Sequence, residues 1–262
     1  MGVKVEIAKG YEYMRGYLEQ LPDMPRELPH GKTLRNGRNR VTLLEEKDIV
    51  VKEFIKMTVA NRLLYSTLRK SKARRSFENA RQLLDLGVGT PPPVAYIEEK
   101  KGGILQRSFY VYKYCEWPSA ASFFATDFTV SNLRATNECI EFIVQLHTKG
   151  IIDNDLNPTN ILYQETQEGF QFKLIDLNRI LFFHKLKKGV RMRNLTRMTG
   201  DPQIYLYMIA KYAELTQAAP YKTLLEGVAI KLHHDHFTKT RRVLKQLLFL
   251  GHGRNKNRRM RA

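Results

Sequence analysis

The chain has 262 residues, 43% of them hydrophobic and 10% aromatic, which is enough to bury a core and too apolar for a disordered tail. Its 44 Lys and Arg against 26 Asp and Glu leave a net charge of +18, which points to a polyanionic partner such as nucleic acid, anionic lipid or acidic glycan. No apolar run is long enough to span a bilayer, and Cys115 and Cys139 stand too far apart to suggest a metal pair. Met1–Gln20 lacks the basic-then-apolar pattern of a secretory signal, and Glu6 occupies the place where a myristoylation signal has Ser or Thr. The expected compartment is the cytosol.

Residues 1–30 read as an N-terminal extension with a short helix near Gly10–Gln20, ended by Pro22 and Pro25. A hairpin follows, with Val41–Leu44 and Ile49–Phe54 joined by a polar turn through Glu46-Lys47-Asp48. The next stretch is basic and helical, with Ala73, Phe77, Ala80 and Leu84 on one face. Gly87 supplies its C-terminal signal, and Pro91-Pro92-Pro93 forbids continuation. A second hairpin runs from Val94–Ile97 through Lys100-Lys101-Gly102-Gly103 to Phe109–Tyr112. Helix then dominates: one carries Leu133, Ile140, Ile143, Val144 and Leu146 and closes at Gly150. Ile151–Leu162 has no periodicity and suits a loop between buried anchors, and Phe170–Leu177 alternates as a strand. Helices are predicted around 204–215, 221–232 and 238–250, ahead of a basic, disordered tail at 254–262.

Within the aperiodic loop, Asp155-Leu156-Asn157-Pro158-Thr159-Asn160 sets Asp and Asn five apart, the spacing at which a kinase loop places a group for the acceptor hydroxyl and a metal ligand. Asp176 ends the following strand, where a second oxygen ligand for Mg²⁺ would stand. Each piece alone has an ordinary alternative, an Asx turn for the first and a strand end for the second. The ordered set of helix, loop, strand and Asp favours phosphoryl transfer. Upstream, Lys52 interrupts an apolar strand and shares a face with Val50, and an inward Lys needs an acid partner. Glu78 is the acid between Phe54 and Leu84, so a Lys52–Glu78 pair over the phosphates is expected. The alternatives are an exposed strand Lys and a surface pair of Glu78 with Arg74 or Arg81.

The sequence resembles the lipopolysaccharide kinase family, the Kdo/heptose kinases of the protein-kinase-like superfamily. The resemblance rests on Val51-Lys52, Ser71–Ala80, Leu86–Pro93, Asp155–Leu162 and Ile175–Arg179, and covers roughly residues 35–182. It implies an α+β, bilobal protein-kinase-like fold. A β-rich lobe with one helix, 31–114, would bind nucleotide; a helical lobe, 115–253, would carry catalysis and the acceptor. It further implies Mg-ATP as cofactor and a sugar hydroxyl of the lipopolysaccharide inner core as acceptor, reached at the inner face of the inner membrane. By that resemblance Lys52 matches the phosphate-binding Lys and Glu78 its helix partner, Asp155 the catalytic Asp, and Asn160 and Asp176 the metal ligands.

Several features depart from a protein-kinase pattern. Asp153 stands where the loop usually opens with His, which gives Asp153-Asn154-Asp155, two close carboxylates that can raise one pKa. No G-x-G-x-x-G is present, so Arg35–Asn39, with Gly37 at its centre, is the candidate phosphate-covering turn. Tyr112–Trp117, including Tyr114, falls where the lobes join and is the candidate adenine-holding segment. The acid-free basic segment from His184 to Arg197 reads either as a solvated loop or as a cradle for an anionic glycolipid and membrane surface. No nucleic-acid motif accompanies the charge. A different phosphotransferase of the same superfamily, or a pseudokinase that binds nucleotide or a polyanion, would also fit these residues.

Overall fold

The computed structural model describes residues 2–55, 65, 69–124 and 130–259, without the side chains of 130, 131, 245 and 247–259. Its strands are β1 (Gly2–Ile7), β2 (Lys32–Asn36), β3 (Arg40–Leu44), β4 (Ile49–Glu53), β5 (Pro93–Lys101), β6 (Ile104–Lys113), β7 (Ile151–Asp153), β8 (Ile161–Thr166), β9 (Gly169–Leu174) and β10 (Ile180–Phe182). Its α-helices are α1 (Arg15–Gln20), α2 (Lys72–Asp85), α3 (Val130–Thr148), α4 (Lys188–Leu195), α5 (Pro202–Leu215) and α6 (Pro220–Arg259). The fold is mixed α+β: a six-stranded antiparallel sheet in the order β1-β5-β6-β4-β3-β2 faces a helical region that carries two small two-stranded sheets, the pair β7–β10 and the hairpin β8–β9.

The first 30 residues are part of the sheet lobe, not an extension. β1 pairs with β5 from Gly2↔Lys100 to Ile7↔Ala95. Met14, Leu18, Leu21 and Leu28 then close over one face of the sheet against Leu44, Ile49, Val51, Ile97 and Phe109. The apolar side chains decide this outcome, because the sheet face they cover would otherwise stand in water. Helix α2 packs on the sheet's other face. The Ser71 hydroxyl caps it by accepting from the Arg74 N–H, and Ala73, Phe77, Ala80 and Leu83 are buried. Leu84, expected on that stripe, is 41% exposed, and Leu83 takes the inward position.

Two glycines allow close backbone approaches, Gly89 between the sheet and the helical region and Gly150 within the helical region. A Cβ on Gly89 would lie 2.3 Å from the Phe172 carbonyl oxygen, so only glycine lets this segment run against β9. The Gly89 carbonyl accepts from the Leu174 N–H at 2.9 Å, and Thr90 Oγ1 donates to the Leu174 carbonyl at 2.7 Å. Gly150, at φ 74°, ends α3 with its Cβ position 1.9 Å from the Phe183 carbonyl oxygen. That close approach starts β7, which pairs with β10 and brings Asp153 opposite Ile180.

At the far end, the two helices predicted around 221–232 and 238–250 are one, α6, whose backbone continues through Arg254–Arg259 where a disordered tail was expected. No proline interrupts the run after Pro220.

Candidate functional site

Strand register sets the upper wall. Val41 pairs with Lys52, Lys52 with Tyr110, and Val50 with Tyr112. Val50 and Lys52 therefore face the same side, into a cavity of about 300 Å³ between the lobes. Val41, Tyr112, Tyr114 and Cys115 line it above and behind, and Asn160, Leu162, Ile175 and Asp176 line it below. The Lys52 ammonium donates to Asp176 Oδ1 at 2.7 Å, and the pair is largely shielded from water, with 8% and 19% of the two side chains exposed.

Asp176 follows β9 in the left-handed conformation, φ 61° and ψ 46°, a position costly for a residue with a Cβ. Its neighbour Asn178 donates to the same Oδ1 at 2.6 Å. Burial on its own would raise the Asp176 carboxyl. The Lys52 charge and hydrogen bond, the Asn178 amide and the Arg35 charge outweigh it and hold the group below the ordinary carboxylate value. Asp176 is thus a carboxylate at any neutral pH. Asn160 Nδ2 donates to the Asp155 carbonyl at 3.1 Å, which leaves its Oδ1 as the available oxygen, while the Ile175 N–H donates to the Asn160 carbonyl at 3.0 Å. One carboxylate and one amide oxygen on the same cavity suit Mg²⁺, which takes few protein oxygens and completes its shell with phosphate and water. Among the described residues no cluster of three or more His, Cys, Asp or Glu forms.

Asp155 lies on the loop between β7 and β8, joined to the cavity-lining Asn160 through its carbonyl. Its carbonyl accepts from Asn157 Nδ2 at 2.6 Å as well as from Asn160, and Leu156 beside it is buried. Its N–H donates to Asp153 Oδ1 at 2.9 Å. Asp153 is buried, and its Oδ2 has no hydrogen-bond partner. Burial, aided by the charges of Asp155 and Asp176 and opposed by the Asp155 N–H and Arg197, pushes its carboxyl up to about 7. Asp153 therefore holds the loop from below, and the expectation that one of the two close carboxylates is raised falls on this inner one. The brace continues: the Asp153 carbonyl accepts from Asn194 Nδ2 at 2.6 Å, Asn194 Oδ1 lies 3.0 Å from His147 Nε2, and His147 Nδ1 lies 2.8 Å from the Tyr212 hydroxyl. Burial lowers His147 to about 4, so the ring is neutral there.

Two expected residues land elsewhere, Glu78 and Gly37, and Tyr114 stays at the cavity. Glu78 does not meet Lys52; it accepts from Lys70 Nζ and Arg74 Nε, both at 2.8 Å, on the accessible side of α2. Two cations within one or two turns are nearer partners than a strand lysine already claimed by Asp176. Gly37 sits exposed at the tip of the β2–β3 hairpin, and Leu34 and Arg35 on β2 line the cavity in its stead. Tyr114 lines the cavity as expected, and its N–H donates to the Asp48 carbonyl at 3.2 Å.

The basic segment also differs from a uniform cradle. Residues 188–195 form α4, with Met192 and Leu195 buried; Lys188 pairs with Glu226, and Arg191 turns its Nε into the interior near Tyr212. Arg197, just past the helix, reaches Asp155 Oδ1. Arg179, on the short turn after Asp176, stands 3.6 Å from the same oxygen. Arg197 was expected only as one member of the basic segment, and Arg179 was given no role of its own. Arg179 lay inside the motif beginning at Ile175, three residues past Asp176, which was the available signal; nothing local to Arg197 marks its contact with Asp155.

The chain resembles known proteins in the parts just described. Residues 23–212 match the model of the lipopolysaccharide kinase (Kdo/WaaP) family. A 3-deoxy-D-manno-octulosonic acid kinase of Pasteurella multocida (strain Pm70) is 25% identical over 134 residues, 51% of this chain. The match spans about half the length of that relative, 55%. Among solved structures, WaaP in complex with acyl carrier protein superposes at a TM-score of 0.60 with 16% identity, covering 90% of this chain and 98% of that one. WbdD is more distant, with a TM-score of 0.48 and 14% identity over 78% of this chain and 50% of its own. The WaaP likeness identifies the fold as protein-kinase-like, and the family match covers most of the sequence. The chain belongs to the lipopolysaccharide kinase (Kdo/WaaP) family.

Proposed function

We propose that the protein transfers the γ-phosphate of ATP to a sugar hydroxyl of the lipopolysaccharide inner core, on Kdo or heptose. The observation that carries this reading is Lys52 bound to Asp176 at 2.7 Å in the interlobe cavity, with Asn160 lining the same cavity and tied to the Asp155 carbonyl at 3.1 Å. In that arrangement Lys52 and Arg35 would hold the nucleotide phosphates, with adenine against Val41, Val50 and Leu162. Asn160 and Asp176 would hold magnesium, which when bound neutralises charge on the transferring phosphoryl group. Asp155 would orient the acceptor hydroxyl. As its oxygen bonds to the γ-phosphorus, the bond to the β–γ bridging oxygen breaks and ADP leaves with the electron pair. The hydroxyl proton passes to Asp155. Glu78 takes no part in this reading.

The sheet lobe with residues 2–30 added would then be the nucleotide side, and the chain from 115 onward the acceptor side. A glycolipid acceptor also supports peripheral contact with an anionic membrane. Helix α6 exposes Leu225, Leu232, Phe237 and Leu244 among Lys239, Arg241 and Arg242, and no helix among the described residues is long and apolar enough to cross a bilayer.

The test is transfer of labelled γ-phosphate from Mg-ATP to extracted core glycolipid, with casein as the protein control. Glycolipid should be labelled and casein not. Asp155→Ala should lose about a thousandfold or more in kcat while keeping the thermal shift that ATP produces. Label on casein alone, or no thermal shift with ATP, would overturn the assignment.

A further inference from the structure

We propose that Arg179 and Arg197 bind an oxyanion carried by the acceptor sugar, and that this anion frees Asp155 for the acceptor hydroxyl. The inference rests on the kinase reading above and names the feature of the acceptor that the site selects.

The geometry is a charge imbalance at one atom. Asp155 Oδ1 receives Arg197 and stands 3.6 Å from Arg179, so two guanidiniums share one carboxylate oxygen. Neither arginine has another acid partner among the described residues, and both side chains are about half exposed. The surroundings add positive charge. Lys72 and Arg75 are both pulled below their ordinary values, first by burial and then by neighbouring cations that include Arg179. An arriving anion relieves that repulsion, and a carboxylate or phosphate fits the guanidinium fork that Asp155 now partly fills.

Both arginines are fixed relative to the loop. The Arg179 carbonyl accepts from the Asn154 N–H at 3.3 Å, and Asn79 Nδ2 on α2 donates to the carbonyls on either side of the turn, Leu177 at 2.7 Å and Ile180 at 3.3 Å. Arg197 lies between buried Thr196 and Met198, and Lys231 Nζ donates to the Thr196 carbonyl at 2.9 Å. Anchored backbones with exposed heads describe groups placed to receive a ligand. In the free protein Arg197 occupies the oxygen that would otherwise meet the acceptor hydroxyl. Exchange of that ion pair for one with the acceptor makes release of Asp155 conditional on an anionic acceptor.

The experiment compares three acceptors with the full chain and Mg-ATP: core glycolipid, the same glycolipid with its sugar carboxyls converted to methyl amides, and the same glycolipid stripped of phosphate. For the wild type, KM should rise about tenfold to a hundredfold on whichever treatment removes the recognised anion, and that arm identifies it as carboxylate or phosphate. Arg197→Gln should raise KM for the untreated glycolipid by a similar factor and no longer distinguish the three, with Arg179→Gln doing so in part. Arg197→Lys, which keeps the charge and loses the fork, should recover part of the preference. Equal KM values for all three acceptors with the wild type would overturn the inference. So would an Arg197→Gln enzyme that still discriminates, which would reduce the arginine to a latch on Asp155. A wild type that phosphorylates none of the three overturns the kinase reading itself.

Discussion

The two aspartates of the cleft, Asp176 and Asp155, are held by opposite kinds of partner. Asp176 meets one lysine, shielded on both sides, with Asn178 completing the contact. Asp155 meets two half-exposed arginines from segments that are far apart in sequence. A shielded ion pair is costly to break, because the partner left behind is a desolvated charge. An exposed pair contributes little and exchanges readily. The Asp176 side of the cleft is thus built as fixed structure, and the Asp155 side as a contact that can be exchanged.

The largest expected effect tests that contrast directly. Asp176→Ala leaves Lys52 buried beside Phe54 with no acid partner, and should cost about 3–5 kcal/mol in chemical denaturation. Arg197→Gln, at the exposed pair, should cost less than about 1 kcal/mol. Similar losses for both would mean that the two sides are not built differently.

The same contrast explains what the sequence made legible. Much of the site is encoded locally: Lys52 in an apolar strand, the Asp155–Asn160 spacing, and Asp176 at a strand end each announce themselves within a few residues. Strand alternation then carries Lys52 into the cavity without any long-range information. The partner of Lys52 was not local. Two acids, Glu78 and Asp176, were available to one lysine, and only the approach of the lobes, set by Gly89 and Thr90 against β9, decides for Asp176. The first strand failed for a similar reason, since Gly2–Ile7 is a strand because β5 offers it an edge. Arg179 and Arg197 belong to the same class. Nothing in the local sequence says which cations meet Asp155, and the backbone ties of Arg179 to Asn154 and of Thr196 to Lys231 settle it.

Asp153 gives the middle-sized effect. With its carboxyl at about 7 in the folded chain and near 3.8 unfolded, the native state binds the proton more tightly. The contribution of this group is therefore complete below about pH 4 and is lost as pH rises to about 7. Asp153→Asn keeps an oxygen for the Asp155 N–H and removes the titration. The melting temperature of the variant relative to wild type should climb steadily between pH 5 and pH 8, corresponding to a gain of roughly 2 kcal/mol or more over that span. A difference that stays flat with pH would mean that Asp153 is ionised throughout and that Arg197 offsets its burial.

The smallest effect separates the two arginines at Asp155 from the basic surface around them. Lys185, Lys187 and Arg193 are exposed and have no ion-pair partner among the described residues, whereas Lys188 is tied to Glu226 and Arg191 is turned inward. Only the first three can act as a diffuse field, and such a field reaches about 8 Å at physiological salt. Replacing all three with Gln should raise KM for the glycolipid about two- to threefold at low ionic strength, leave kcat unchanged, and have no effect at high salt. The Arg197→Gln penalty should persist at high salt, because a contact ion pair in a cleft is screened far less than a charge in open water. Measuring KM for the triple variant and for Arg197→Gln at both ionic strengths therefore splits attraction from recognition. If both penalties vanish together as salt rises, Arg197 is one more surface charge, and Asp155 is held no more selectively than the face around it.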